Sequence, residues 1–133
     1  AIDRFTERDV VAITYGDLIH SPGQPPLVAL RHIFAEVFAG TFNVVHLLPF
    51  FPYSSDRGFS VIDYEEVDPS LGTWDDIQRL GETHRLMFDG VVNHVSSQSH
   101  WFREFLNGNP AYENFFISFN TREAISPDHL RLI

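Results

Sequence analysis

At the centre of the chain stands Val44-Val45-His46-Leu47-Leu48, a short apolar run that Pro49 ends. Its hydrophobicity is nearly continuous rather than alternating, which is typical of a strand buried in a parallel sheet. Two similar runs lie on either side of it, VVAITY at residues 10–15 and LMF at residues 86–88. The three runs predict three strands.

Apolar residues at helical spacing separate these strands. Between residues 27 and 38 they recur at intervals of three and four, after Pro25-Pro26, which can open a helix, and before Gly40, which can close one. A second helix is predicted from Thr73, an N-cap residue followed by two aspartates, through Leu80. Alternating strands and helices predict a parallel α/β sheet.

The last third of the chain carries weaker patterns. Residues 101–106 predict an amphipathic helix and residues 114–119 a short strand, whereas no pattern is evident after residue 121. Three strands cannot close a barrel, which needs roughly 250 residues. Because the chain also begins without Met and ends without a recognisable cap, we expect it to be a fragment of a larger protein.

Composition restricts the class of protein. Hydrophobic residues make up 44% of the 133 residues and the net charge is −9, so a core can form but the basic surface that binds nucleic acid is missing. There is no cysteine, and therefore neither a disulfide nor a thiolate metal site. No apolar run is long enough to span a bilayer and no signal peptide is recognisable, so we expect a soluble cytoplasmic protein without a membrane partner.

The carboxyl ends of the predicted strands are the places to look for a ligand site, since parallel α/β folds bind ligands there. Three segments qualify, residues 16–17, 49–59 and 89–94, and they are rich in carboxylates, amides and aromatic rings. Such groups suit a sugar, because charged groups form strong hydrogen bonds with hydroxyls while a flat ring covers the C–H surface.

The tetrapeptide Asp56-Arg57-Gly58-Phe59 offers a carboxylate, a guanidinium, a flexible position and a flat ring. The alternative is a surface turn with a local ion pair. His94 follows Asn93 at a strand end and is the second candidate, with a core or helix-starting histidine as its alternative. For Asp89 we favour a buried anchor paired with a basic group over a catalytic carboxylate.

Other kinds of site are not supported. His84 and His94 flank opposite ends of a strand, so they do not form a metal pair, and no His-Glu-x-x-His helix is present. The chain has no phosphate-binding glycine loop and no Gly-x-Ser-x-Gly elbow. A Rossmann-type nucleotide binder is excluded because no glycine-rich turn follows the first strand.

Several of these segments together resemble a known family. Asp89-Gly90-Val91-Val92-Asn93-His94 is similar to the Asp-x-x-x-Asn-His signature at the third barrel strand of glycoside hydrolase family 13, the α-amylase family. His46-Leu47-Leu48-Pro49-Phe50, followed by Ser55-Asp56-Arg57-Gly58-Phe59, resembles its sucrose phosphorylase subfamily. Phe59-Ser60-Val61-Ile62-Asp63-Tyr64 looks more like the glucosylglycerate phosphorylases of that subfamily.

The resemblance implies the amino-terminal part of a (β/α)8 TIM barrel. Residues 1–95 would form the first three βα units, and residues 96–133 the start of the domain inserted after the third strand. Asp56, Phe59, His94 and Arg57 would bind the glucosyl substrate: Asp56 accepts hydroxyls, Phe59 is the aromatic platform, His94 donates, and Arg57 has no assigned role. Asp89 and Asn93 would shape the strand end.

The implied reaction is reversible phosphorolysis with retention, in which a glucosyl-enzyme forms and phosphate releases α-glucose 1-phosphate. The implied partners are a small-molecule sugar and inorganic phosphate, without metal or cofactor, and a homodimer of the parent enzyme is left open. The catalytic carboxylates would lie on later strands, so no residue here is assigned a catalytic role and the isolated chain should be inactive. A hydrolase or transglucosidase of the same family, or a non-catalytic carbohydrate-binding fragment, are the alternatives.

Overall fold

The structure, a computed structural model, describes residues 5–119. The chain divides into two compact units, Ala1–Ser99 and His100–Ile133. Residues 120–133 of the predicted inserted domain lie outside the described residues, and the predicted division after residue 95 stays a prediction. Within residues 5–119 no helix combines the length and the hydrophobicity needed to cross a membrane.

The first unit is built on a three-stranded parallel sheet. Its strands are β1 (Val11–Thr14), β2 (Val44–Leu47) and β3 (Arg85–Phe88), in the order β1-β2-β3. All three runs predicted from hydrophobicity form strands. Because Ile13, His46 and Met87 are in register, their side chains form one row across the sheet.

Two helices connect the strands. Helix α1 (Pro26–Glu36) has a proline in its first turn, where the missing N–H costs nothing. The predicted pattern continued to residue 38, but the helix ends at Glu36 because the chain turns before Gly40, which has a φ of 72°. Helix α2 (Trp74–Gly81) has Thr73 as its N-cap, as predicted.

The helices cover one face of the sheet. The core that results contains residues from α1, β2, the loop that follows it, and α2: Leu27, Leu30, Phe34, Val45, Leu47, Phe50, Val67, Ile77 and Leu80. The opposite face is less covered within the described residues, since Ile13 is 65% exposed. The burial predicted for the strand at residues 10–15 is therefore found only at Thr14 of β1, whereas β2 is buried and β3 is mostly exposed.

The second unit contains helix α3 (His100–Leu106), close to its predicted position, and a 3₁₀ turn at Pro110–Tyr112. The strand predicted at residues 114–119 is wrong, because this segment forms turns and irregular backbone. Its aromatic rings pack on the helix instead: the ring of Phe115 lies 5.6 Å from Trp101, and the ring of Phe116 lies 5.1 Å from Phe105. Apolar residues that pack on a helix in this way mimic a strand pattern in the sequence.

The start of α2 allows a direct test. Thr73 and Asp76 form a capping box, in which the Thr73 hydroxyl accepts from the Asp76 N–H and Asp76 Oδ2 accepts from the Thr73 N–H at 2.9 Å. We expect Thr73→Ala to lower the free energy of unfolding by about 1 kcal/mol, measured by urea denaturation of the intact protein. Thr41→Ala, at an exposed turn, should change it by less than about 0.5 kcal/mol, and equal effects of the two variants would contradict the cap.

Candidate functional site

The loop that leaves β2 folds into a narrow hairpin whose tip is residues 56–59. The Ile62 N–H donates to the Pro52 carbonyl at 2.7 Å, and the Ser54 N–H donates to the Ser60 carbonyl at 3.0 Å. At the tip, the Phe59 N–H donates to the Asp56 carbonyl at 3.1 Å and closes a 3₁₀ turn. These bonds hold the predicted tetrapeptide in one conformation.

The backbone at the tip is strained. Asp56 and Arg57 have φ angles of 57° and 49°, the left-handed region that costs a residue with a side chain about 1–2 kcal/mol. Gly58 follows with a φ of 103°, and its backbone lies so close to Pro49 that an added Cβ would stand 2.7 Å from the Pro49 carbonyl oxygen. Strain of this kind is concentrated at functional sites in folded proteins.

The side chains at the tip differ in exposure. Asp56 and Arg57 are exposed, whereas Phe59 is half-buried. Within residues 5–119 neither Asp56 nor Arg57 has an ion-pair partner, so the local ion pair of the alternative interpretation is not found. An exposed carboxylate and guanidinium beside a half-buried ring are free to meet a polar ligand.

His94 lies on a segment that the structure ties to the hairpin. The Ser96 N–H donates to the Val61 carbonyl at 2.8 Å, and the hydroxyls of Ser54 and Ser96 share a hydrogen bond of 2.6 Å. A third contact joins the Tyr64 hydroxyl to the Val91 carbonyl at 2.5 Å. Two segments that are far apart in the sequence, one with Asp56 and Phe59 and one with His94, are therefore linked.

Asp89 and Asn93 occupy the exit of β3. Asp89 Oδ2 accepts a hydrogen bond of 3.0 Å from Nε2 of His46, which lies on β2. This bond joins the ends of two neighbouring strands, and both side chains are largely shielded from solvent. The sequence suggested a basic partner for Asp89 but did not identify it. Asn93 is exposed.

A cavity of about 690 Å³ opens at the carboxyl end of β1. Tyr15, Asp17, Tyr53, Arg57 and Asp68 are among the residues that line it. Of the four predicted substrate-binding residues, Arg57 is among those that line this cavity, and the other three are not. No group of three or more His, Cys, Asp or Glu side chains suited to a metal ion is found in the described part of the chain.

Sequence reasoning missed the residues that connect the site. Tyr64, Ser54 and Ser96 received no role, since each acts through a contact with a distant segment and none belongs to a recognisable local pattern. The sequence feature that pointed to Tyr64 was its place at the end of the segment 59–64, which resembles the glucosylglycerate phosphorylases.

Comparison with known proteins identifies the family. The model of the α-amylase catalytic domain matches residues 40–132, which include the hairpin and the segment of His94. This range is more than half of the chain.

Relatives of known activity are also similar. The chain is 56% identical over 110 residues to glucosylglycerate phosphorylase of Spirochaeta thermophila, covering 83% of this chain and 19% of that relative. It is 39% identical over 110 residues to sucrose phosphorylase of Streptococcus mutans, covering 81% and 22%. Among solved structures, sucrose 6F-phosphate phosphorylase from Thermoanaerobacter thermosaccharolyticum matches with 39% identity and a TM-score of 0.68, over 83% of this chain and 22% of that chain.

The chain spans about a fifth of the length of the curated relatives that it matches. Its parallel βα units correspond to part of the TIM barrel of those enzymes, as the sequence predicted. By the match of the catalytic-domain model over most of its length, the chain belongs to the α-amylase family.

Proposed function

We propose that the chain is part of an α-glucoside phosphorylase, which transfers a glucosyl unit reversibly to phosphate with retention and yields α-glucose 1-phosphate. The observation that carries this proposal is the similarity of the chain to phosphorylases, and the link between the hairpin of Asp56 and Phe59 and the segment of His94 supports a shared substrate site. Similarity to glucosylglycerate and sucrose phosphorylases supports the choice of phosphate as the glucosyl acceptor.

Three residues would hold the glucosyl unit. The exposed Asp56 carboxylate accepts hydrogen bonds from sugar hydroxyls, and such charge-assisted bonds are about twice as strong as neutral ones. Phe59 is half-buried, so one side of its ring is fixed by the protein while the rest can lie against the C–H surface of the sugar. His94 is exposed and donates a ring N–H to the same unit.

The remaining predicted residues act around this group. Arg57 is available for polar groups of the substrate that enter the cavity at the end of β1. Asp89 is held by His46 and, with Asn93, fixes the course of the chain as it leaves β3. These are supporting roles, since none of Arg57, Asp89 and Asn93 removes or adds a proton in the reaction.

The chemistry needs two carboxylates, one as nucleophile and one as general acid and base. We assign neither to a residue of this chain, and we assign no cofactor or metal. The substrates are a small glucoside and inorganic phosphate. Similarity is higher to the glucosylglycerate phosphorylase than to the sucrose phosphorylase, so D-glycerate is the first glucosyl acceptor to test in the reverse direction.

The test is phosphate release from α-glucose 1-phosphate by the intact protein, with D-glycerate, fructose and glycerol as acceptors in separate reactions. Release that depends on one acceptor is the expected result and names the substrate. Absence of acceptor-dependent release, together with hydrolysis of sucrose or maltosides, would show a hydrolase in place of a phosphorylase.

Asp56→Asn tests the assignment of the hairpin. The amide keeps the shape of the carboxylate but loses its charge, and we expect kcat/KM for α-glucose 1-phosphate to fall about 100-fold. Asp75→Asn is the matched control, because Asp75 is exposed on α2 and pairs with Arg79, four residues away. If both variants keep the activity of the wild type, Asp56 does not bind the glucosyl unit.

A further inference from the structure

The segment that carries His94 has little regular structure of its own. In residues 89–95 of the described chain one backbone hydrogen bond lies within the segment, from the Val92 N–H to the Gly90 carbonyl at 2.9 Å. The side chain of Val91 is 7% exposed and anchors the segment by packing, whereas that of Val92 is 94% exposed and does not. His94 is itself exposed, so its position depends on the packing of Val91 and on hydrogen bonds from neighbouring residues.

Ties to the hairpin and to Tyr64, which follows it, lie on both sides of His94. Ser96, two residues after it, bonds to Ser54 and to the Val61 carbonyl. Val91, three residues before it, accepts a hydrogen bond of 2.5 Å from the Tyr64 hydroxyl. The same hydroxyl lies 3.5 Å from the carbonyl of His94 itself, a longer and weaker contact than the one to Val91, since the single hydroxyl proton cannot point fully at both.

Tyr64 is itself firmly placed. Its ring lies 5.4 Å from Phe51, whose ring stacks at 4.5 Å on the buried Phe50. Burial raises the pKa of Tyr64 above its ordinary value of 10.0, so the hydroxyl keeps its proton and remains a donor throughout the physiological range. A residue anchored in the core thus contacts the backbone beside a proposed substrate-binding histidine.

We propose that Tyr64 is a positioning residue, whose hydroxyl sets the place of His94 by holding the Val91 carbonyl and contacting that of His94. This inference rests on the proposed function for one point, the binding of the glucosyl unit by His94. The statement that Tyr64 fixes the segment does not depend on which substrate the protein binds.

Tyr64→Phe removes the hydroxyl and retains the ring that packs on Phe51. We expect kcat/KM for α-glucose 1-phosphate to fall about tenfold, as the loss of one hydrogen bond would give, with the thermal midpoint of unfolding changed by no more than a few degrees. Tyr112→Phe is the matched control. Its hydroxyl lies 3.4 Å from Nε2 of His100 in the second unit, and the kcat/KM of this variant should equal that of the wild type.

A double-mutant cycle separates positioning from a general structural role. If Tyr64 acts through His94, Tyr64→Phe should lower kcat/KM tenfold in the wild type but less than twofold in the His94→Ala background. Equal losses in both backgrounds would show that Tyr64 acts on the protein as a whole, and activity within twofold of the wild type in the single variant would overturn the inference outright.

A measurement without substrate keeps this inference distinct from the proposed function. Amide hydrogen exchange of the peptide that spans residues 89–96 should be at least tenfold faster in Tyr64→Phe than in the wild type, while exchange of β2 is unchanged. Unchanged exchange in that peptide would overturn the positioning role. Faster exchange in a protein that shows no phosphorolysis would retain it and reject the proposed function alone.

Discussion

Replacing Gly58 by alanine is expected to lower the free energy of unfolding by about 4 kcal/mol. An alanine there would keep an unfavourable φ of 103°, which costs about 1–3 kcal/mol. Its Cβ would also stand 2.7 Å from the Pro49 carbonyl oxygen, and because this contact is with backbone, relief requires the hairpin to move at a similar cost. The measurement is the urea midpoint of the intact protein.

Gly23→Ala is the control that separates the cost of the unfavourable φ from the cost of the contact with Pro49. Gly23 has a φ of 77° but no atom within 4 Å of an added Cβ, so it reports the backbone cost alone, about 1 kcal/mol. If Gly58→Ala costs no more than Gly23→Ala, the hairpin does not lie against Pro49 as the structure has it. The tip of the hairpin, residues 56–59, would then be held by contacts other than the one with Pro49.

Phe50→Ala is expected to cost about 3–5 kcal/mol, the range for deletion of a buried aromatic ring. Phe50 is 1% exposed and its ring lies 4.5 Å from Phe51, 5.6 Å from Trp74 and 5.2 Å from Phe88. It therefore joins the exit of β2 to the start of α2 and the end of β3. Since native domains are stable by only about 5–15 kcal/mol, this loss should be evident as a lower thermal midpoint.

The exposed Val92 supplies the comparison for Phe50. Val92→Ala should change the free energy of unfolding by less than about 0.5 kcal/mol, because its side chain has almost no buried surface to lose. A cost below about 1 kcal/mol for Phe50→Ala would mean that the neighbouring rings close the cavity completely, which packing of this kind rarely allows.

The strands and helices of the first unit could be predicted because their signals are local. The apolar run of β2 and the cap at Thr73 need no information from distant residues. The strand predicted at residues 114–119 failed for the opposite reason, since a strand needs a partner and these rings pack on a helix instead. Local sequence does not distinguish the two.

The candidate site, too, could be predicted only in part from the sequence. The rule that ligands bind at the carboxyl ends of parallel strands was sufficient to select the tetrapeptide at residues 56–59 and the segment of His94. It could not predict left-handed backbone at Asp56 and Arg57, because surrounding contacts impose that conformation on residues that otherwise avoid it. Nor could it predict the bond between Tyr64 and Val91, which joins residues 27 positions apart.

The order of the sheet has a consequence for how the protein is made. Each strand pairs with the strand just before it in the chain, so β1 and β2 can pair before β3 has been synthesised. Because α1 packs on β2 and lies between β1 and β2 in the sequence, the unit β1-α1-β2 is complete once Leu47 leaves the ribosome. Domains fold amino terminus first during synthesis, and a sheet of this order can grow by one strand at a time on the nascent chain.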